Sequence, residues 1–310
     1  MSFSFPDLEG VNSLLSPVER ELVKNHRKPK HPVLFVIGTG PRCGHTLFSQ
    51  LLASTGRLWT ASNFIARFWE APTLGTLLRR ALGAEPRYSF NSELGKTSEL
   101  DDPHEFGKFL QRWLPLKDDH VCRLESVSPE AVASFQREMA ALEDASGLPV
   151  FLRNLAYGMN LGLVRDLAPN AVFAACSRNP VFQVQSILLA RERSGAPDNW
   201  WSLRPPGYAK QAKRSPEDQA AWQVKTISDL MQRGLEAPGL DGKSATRAEV
   251  DYGAVCKNPA SLVRETLELV FDGGAPLDLD LPNSFKSSDV RRFSRERFAR
   301  VERAVADAGF

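Results

Sequence analysis

The stretch that decides the fold is Val33-Leu34-Phe35-Val36-Ile37-Gly38-Thr39-Gly40-Pro41-Arg42-Cys43-Gly44-His45-Thr46-Leu47. Its first five residues are apolar, three of them Val or Ile, and read as a buried strand that runs into a glycine-rich loop. Leu47-Phe48-Ser49-Gln50-Leu51-Leu52 then reads as the start of a helix. A strand, a glycine loop and a helix N-terminus gather backbone N–H groups and the positive end of a helix dipole at one point, which suits a phosphate-like anion. The pattern is not that of a nucleoside-triphosphate site, which has four residues between two glycines and then Lys and Ser/Thr. Here five residues separate Gly38 from Gly44, His45 follows Gly44, and the fixed cation of the loop is Arg42.

A second segment has similar chemistry. Ala171-Val172-Phe173-Ala174-Ala175-Cys176 has strand character and leads into Ser177-Arg178-Asn179-Pro180. Pro180 suits the first turn of a helix, where its missing N–H costs nothing. Ser186 lies eight residues after Arg178. Arg offers a planar bidentate fork for phosphate, and Ser adds a neutral donor. Between the two segments, Leu148-Pro149-Val150-Phe151-Leu152-Arg153-Asn154 reads as another buried strand. Leu161, Val164 and Leu167 predict a helix over Tyr157 to Leu167, ended by Pro169-Asn170. Strand, helix, strand implies parallel pairing with a right-handed crossover. Ligands bind beyond the carboxyl ends of such strands, so Arg42 and Arg178 are expected to face one crevice. Later, Glu249-Val250-Asp251-Tyr252 reads as a strand, and Asn258-Pro259 opens a helix with Leu262, Thr266, Leu269 and Val270 at apolar spacing.

The segment Pro41-Arg42-Cys43-Gly44-His45-Thr46-Leu47 resembles the Pro-Arg/Lys-Ser-Gly-Thr-Thr-Leu loop of sulfotransferases, with Cys43 in place of Ser and His45 in place of the first Thr. In that family the loop holds the 5′-phosphosulfate of 3′-phosphoadenosine-5′-phosphosulfate (PAPS). Arg178 and Ser186 have the spacing of the family's pair for the 3′-phosphate, with Asn179 where Asp is more usual. The resemblance runs from about Pro32 to Phe293. It implies a three-layer α/β/α fold with a central, mostly parallel sheet of the P-loop NTPase-like kind. It also implies one sulfotransferase domain over residues 1–310, with residues 1–31 as a lead-in. The implied activity is transfer of the sulfuryl group from PAPS to an acceptor hydroxyl, releasing PAP, with no metal. Arg42, Cys43, Gly44, His45, Thr46, Leu47, Arg178 and Ser186 would hold the nucleotide. Arg42, the Gly44 and His45 amides and the Thr46 hydroxyl would stabilise the charge that develops, as donors do in phosphoryl transfer. The His45 side chain is expected to be secondary.

The resemblance is incomplete at the general base. Golgi-type sulfotransferases place a Glu about twenty residues after the loop Arg, and here that count reaches Ser62-Asn63. Three residues are candidates. His104 comes first, because cytosolic sulfotransferases use a His base and imidazole accepts a proton near neutrality. It sits in Asp102-Pro103-His104-Glu105-Phe106, which resembles a stretch of some bacterial sulfotransferases and reads as a helix start with Asp102 as N-cap. Glu105 is the second candidate. Glu70 is the third, on a face shared with Asn63 and Arg67 if that segment is helical; an exposed Arg–Glu pair is the plainer reading of that face. Trp69, Phe106, Phe109, Trp113, Trp200 and Trp201 offer aromatic faces. Most are expected in the core, but two in a cleft would favour a saccharide or glycolipid acceptor, with a phenol or alkyl hydroxyl still open. The basic segment Asn283–Phe293 matches by position a family loop that closes over the nucleotide, and otherwise reads as a solvated helix start.

Composition limits the alternatives. The chain has 310 residues and a net charge of +2, so its overall charge calls for neither nucleic acid nor an anionic membrane. No apolar run approaches the ~18 residues of a membrane span. Met1–Glu9 has no basic or apolar signal region, so the expected location is the cytoplasm. The basic run Lys24, His26, Arg27, Lys28 and Lys30 reads as a solvated lead-in. The four cysteines are scattered, without disulfide or metal spacing. Cys43 as a phosphatase nucleophile would need an Arg at position 49, which is Ser49. Two other classes remain: a P-loop small-molecule kinase, opposed by the missing Lys, and a catalytically inactive nucleotide-binding relative, favoured by the altered loop and the missing Glu.

Overall fold

In a computed structural model, the described residues are 7–310 apart from 84, 85, 87, 89, 94, 96, 240, 241, 273 and 275–277. The centre is a four-stranded sheet of β1 (Leu34–Gly38), β2 (Phe151–Arg153), β3 (Val172–Ser177) and β4 (Arg247–Asp251), in the order β2-β1-β3-β4. Every pairing is parallel. β1 and β3 pair from Leu34↔Val172 to Gly38↔Cys176, and all five residues of β1 are buried. That explains why β1 reads as a continuous apolar run: a parallel strand is covered on both faces.

The helices in chain order are α1 (Leu8–Val23), α2 (His45–Ser54), α3 (Pro72–Ala81), α4 (Gly107–Trp113), α5 (Pro129–Ser146), α6 (Leu155–Met159) and α7 (Leu161–Leu167). They continue with α8 (Pro180–Arg193), α9 (Pro216–Glu236), α10 (Tyr252–Lys257), α11 (Pro259–Phe271) and α12 (Arg295–Asp307). α11 packs on β3, β4 and α2, while α6 packs on β1 and α9, giving the expected α/β/α layering. A second apolar cluster joins α8, α9 and α12 through Val184, Ile187, Ala220, Val224 and Val301.

The strand order positions the site. From β1 the chain moves outward to β2, then crosses back to β3 on the other side of β1. The segments leaving β1 and β3 therefore diverge, which opens a crevice at their carboxyl ends. Residues 39–44 follow β1 there, and Arg178-Asn179 follow β3. Asn179 caps α8 by accepting from the Val181 amide at 3.0 Å. Asn caps a helix as well as Asp does, so this departure from the family pattern costs α8 nothing.

Two expectations are corrected. Tyr157 to Leu167 is not one helix but α6 and α7, divided at Asn160. The Asn160 side chain bonds the Cys122 amide and the carbonyls of His120 and Ala156, so it anchors a distant loop at the break. No helix begins at Pro103. Position 103 bridges to Ser62, Phe106 is left-handed at φ 52°, and α4 starts at Gly107. The Asp102 side chain accepts from Gln50 Nε2 at 3.0 Å instead of capping a helix. Ahead of the exposed basic residues Lys24, Arg27, Lys28 and Lys30, which are solvated as expected, α1 is docked on α3 and α5. α3 has no side-chain cap of its own, and buried Glu19 of α1 accepts from the Thr73 and Leu74 amides at 3.0 and 3.2 Å. Glu19→Ala should lower unfolding stability by about 1–3 kcal/mol, read as a lower urea midpoint with an unchanged slope. An unchanged midpoint would show that α1 does not cap α3.

Candidate functional site

The loop after β1 is held in a conformation few residues adopt. Gly40 has φ 122°, Gly44 has φ 97°, and Arg42 between them has φ 69°, a left-handed backbone unusual for a residue with a β-carbon. Gly44 is the N-cap of α2 and supplies no side-chain cap. A β-carbon at Gly44 would stand 2.7 Å from the Tyr252 ring. The first helical bond runs from the Phe48 amide to the Gly44 carbonyl, leaving the His45, Thr46 and Leu47 amides without helical acceptors. Those three residues line the cavity beside the loop, where the positive end of α2 also lies. Buried Gln183 of α8 braces the loop, donating to the Pro41 and Thr39 carbonyls and accepting from the Thr39 hydroxyl.

Arg42 and Arg178 meet in this crevice. Arg178 Nη1 donates to the Arg42 carbonyl at 3.0 Å, and Arg42 Nε donates to Ser186 Oγ at 3.0 Å. Burial, then the neighbouring Arg178 charge, pulls the Arg42 guanidinium below its usual range. The Arg178 guanidinium lies 4.5 Å from the centroid of the Tyr252 ring. Arg42, Arg178, Arg193 and Arg292 all line a small cavity of about 70 Å³, together with Ser186 and Ser288. Water occupies about 30 Å³ in the liquid, so this space has the scale of a single oxyanion. Four guanidinium groups around it make it strongly cationic.

In this structure Arg178 is engaged by the C-terminal segment. Its Nε and Nη2 donate to Asp289 Oδ1 at 2.7 and 2.6 Å, and Nη2 also donates to Ser288 Oγ at 3.0 Å. Gln185 of α8 fixes the same segment, donating to the Val290 carbonyl and accepting from the Arg292 amide. Asn283–Phe293 is thus not a solvated helix start; it crosses the crevice, and α12 begins only at Arg295.

A cavity of about 1020 Å³ opens beside the loop. Arg42, Gly44, His45, Thr46, Leu47, His104, Glu105 and Arg178 line it, as do Phe285 and Lys286 of the C-terminal segment. Cys43 does not: it is 1% exposed, and its Sγ fills the space that a β-carbon on Gly38 would need. Ser186 lines the small cavity rather than the large one.

The three base candidates separate clearly. Glu70 is not brought to Arg42. The segment near it is a short 3₁₀ turn, Ile65–Phe68, not an α-helix, so Asn63 lines the large cavity while Glu70 faces another groove, 3.5 Å from Arg112. His104 lines the cavity, but its Nδ1 accepts from the Phe106 amide at 2.8 Å. The neutral ring therefore carries its proton on Nε2 and presents a donor, not a base. Burial and the Arg153 charge also push the imidazole below its usual range. Glu105 lines the cavity with its side chain 47% exposed. Burial pushes its carboxyl up, but the His45 hydrogen bond and the charges of His45, Arg153 and His104 outweigh this and hold it at about 2.

His45 is the main correction at the loop. Its side chain is buried, with Nε2 3.2 Å from Glu105 Oε1 and Nδ1 3.7 Å from Cys43 Sγ. Burial lowers the imidazole, but the bonds to Cys43 and Glu105 outweigh it and the net shift is upward. The departure at position 45 thus ties the anion loop to the carboxylate of Glu105. Of the six aromatics singled out, only Trp201 lines the large cavity; Phe106 and Phe109 are stacked in the core. Sequence reasoning missed Gln183, Tyr252, Asp289 and Arg153 as parts of the site. Only Arg153 gave a signal, as a charge ending the apolar run Val150-Phe151-Leu152.

Asp289 places a negative charge where Arg178 would grip a phosphate. Asp289→Asn should therefore tighten binding of a phosphate anion in this cavity by about 3- to 10-fold at low salt, because like charges a few ångströms apart repel by roughly 1 kcal/mol in a wet site. Calorimetric titration reads this, and weaker binding would mean that the carboxylate positions Arg178 rather than competes for it.

No protein-family model matches this sequence, and no curated protein matches it. Among solved structures, the fold is similar to that of sulfotransferase STF9 from Mycobacterium avium, at 15% identity and a TM-score of 0.52, over 96% of this chain and 73% of that one. It is likewise similar to sulfotransferase STF1 from Mycobacterium tuberculosis H37Rv, at 16% identity and a TM-score of 0.52, over 96% of this chain and 78% of that one. Among the described residues, no helix is long and apolar enough to cross a membrane. At these identities the likeness is one of architecture: the chain has the fold of these two sulfotransferases along almost its whole length.

Proposed function

We propose that this protein is a sulfotransferase that moves the sulfuryl group of PAPS to an acceptor hydroxyl and releases PAP. The observation that carries the reading is the pairing of two anion sites of different build in one crevice. The first, at the start of α2, offers the His45, Thr46 and Leu47 amides and Arg42, which suits the 5′-phosphosulfate. The second, the cavity where Arg178, Arg193 and Arg292 gather beside Ser186, suits the isolated 3′-phosphate that distinguishes PAPS from ATP. A kinase reading fits less well, because it needs a Lys after Gly44 and has no use for the second site.

In the proposed reaction the acceptor oxygen attacks sulfur in line, and the bond from sulfur to the bridging phosphate oxygen breaks. PAP leaves with that oxygen and the bonding electron pair. The protein positions the reactants and neutralises charge rather than forming covalent intermediates. Arg42, the loop amides and the Thr46 hydroxyl serve the departing and equatorial oxygens. Glu105 receives the acceptor proton. A carboxylate of low pKa is a weak base for a free alcohol, but an alcohol oxygen bonding to sulfur becomes strongly acidic, so a weak base suffices late in the step. His45 orients Glu105 and holds it ionised.

Transfer of labelled sulfate from PAPS across an acceptor panel tests the activity. Glu105 as base predicts a rate that stays flat on the acid side to within two pH units of its value near 2, as far as the fold survives. A protonation limb near pH 6–7 would assign the proton to an imidazole instead. Arg178→Ala should weaken PAP binding at least tenfold more than ADP binding, a difference of about 1.4 kcal/mol. Equal losses for the two nucleotides would remove the 3′-phosphate assignment.

A further inference from the structure

In the reaction just described Arg153 acts only through the charge it places near Glu105, and its surroundings are unusual. It ends β2, opposite Val36 of β1, and is 3% exposed. Among the described residues, its Nε and Nη1 have no hydrogen-bond partner, although both are buried. A buried guanidinium is costly unless it is paired, and proteins seldom leave one so without a reason. Glu105 and Asp102 are the carboxylates whose charges act on it, but neither forms an ion pair with it. Glu105 is turned to His45, and Asp102 accepts from Gln50 through Oδ1, its Oδ2 being buried without a hydrogen bond among the described residues. Arg153 nevertheless lines the large cavity, beside Glu105 and His104. A cation held without a partner in the wall of a binding cavity is preorganised for an anion that arrives with the ligand.

We propose that Arg153 is a specificity residue for the acceptor. It binds an oxyanion, a carboxylate or a phosphate or sulfate ester, carried on the same molecule as the hydroxyl that approaches Glu105. This rests on the sulfotransferase reading for the hydroxyl, but not for the anion site itself. The acceptor class is then an anionic one, and a neutral sugar or alcohol of the same shape is discriminated against. Leaving the site's cation unpaired is how a binding site rejects a ligand that lacks the matching group. The Arg42 and Arg178 sites remain for the donor.

The test uses the whole chain. PAP binding by the wild-type protein is measured first. If it fails, the sulfotransferase reading falls, and the anion site is tested on the nucleotide-free protein. Glucose, glucuronate and glucose 6-phosphate are then titrated into the protein, saturated with PAP where PAP binds, with ligand-observed NMR as the readout. The expected result is that glucuronate or glucose 6-phosphate binds at least tenfold more tightly than glucose, and that Arg153→Gln abolishes the difference. The stronger of the two identifies the anion as a carboxylate or a phosphate ester. PAP affinity should stay within twofold in Arg153→Gln. Arg153→Lys should retain part of the preference for the anion. Because Arg153 has no partner to lose, Arg153→Met should melt no lower than wild type. The proposal is overturned if the anions bind no better than glucose, if their advantage survives Arg153→Gln, if PAP binding is lost with it, or if Arg153→Met melts well below wild type.

Discussion

The structure depends on the contact between Arg178 and the backbone of Arg42. Two loops leave adjacent parallel strands and diverge, and the Arg178 guanidinium bridges them by donating to the Arg42 carbonyl at 3.0 Å. This contact brings a second cation close to the first. Burial and Arg178 both disfavour the charge on Arg42. The arrangement is costly by itself, and anions at the two proposed donor sites would offset that cost. Asp289 meets part of the need by pairing with Arg178 from the C-terminal segment.

Packing around the loop explains its unusual sequence. Gly38 must lack a β-carbon because Cys43 Sγ occupies that space, and Gly44 must lack one because Tyr252 does. Cys43 is accordingly a small buried wedge under the loop rather than a nucleophile. The His45 imidazole reaches from the loop to Glu105 at 3.2 Å. The backbone of the loop and the carboxylate on the opposite wall are therefore one connected hydrogen-bonded unit.

Much of this was legible in the sequence, and the failures have physical causes. β1, β3 and the start of α8 were readable because burial on both faces leaves an apolar run and Pro180 marks a helix start. The approach of Arg42 to Arg178 followed from the parallel crossover alone. The segment around His104 was misread because Asp102-Pro103 looks like a helix start, whereas the left-handed Phe106 and the Ser62 bridge hold it extended. Helical spacing joined Asn63 to Glu70, but a single 3₁₀ turn directs them to different cavities. Gln183 and Asp289 gave no local signal, since each acts on residues more than 100 positions away. The docking of α1 by Glu19 is likewise a contact between distant segments that periodicity does not encode.

The most direct test of the central claim is a crystal structure of the complex with PAP. The account predicts the 5′-phosphate on the amides of His45, Thr46 and Leu47 and the 3′-phosphate against Arg178 and Ser186, with Asp289 displaced from Arg178. A nucleotide bound elsewhere, or one whose 3′-phosphate points to solvent while Asp289 keeps its place, would contradict it.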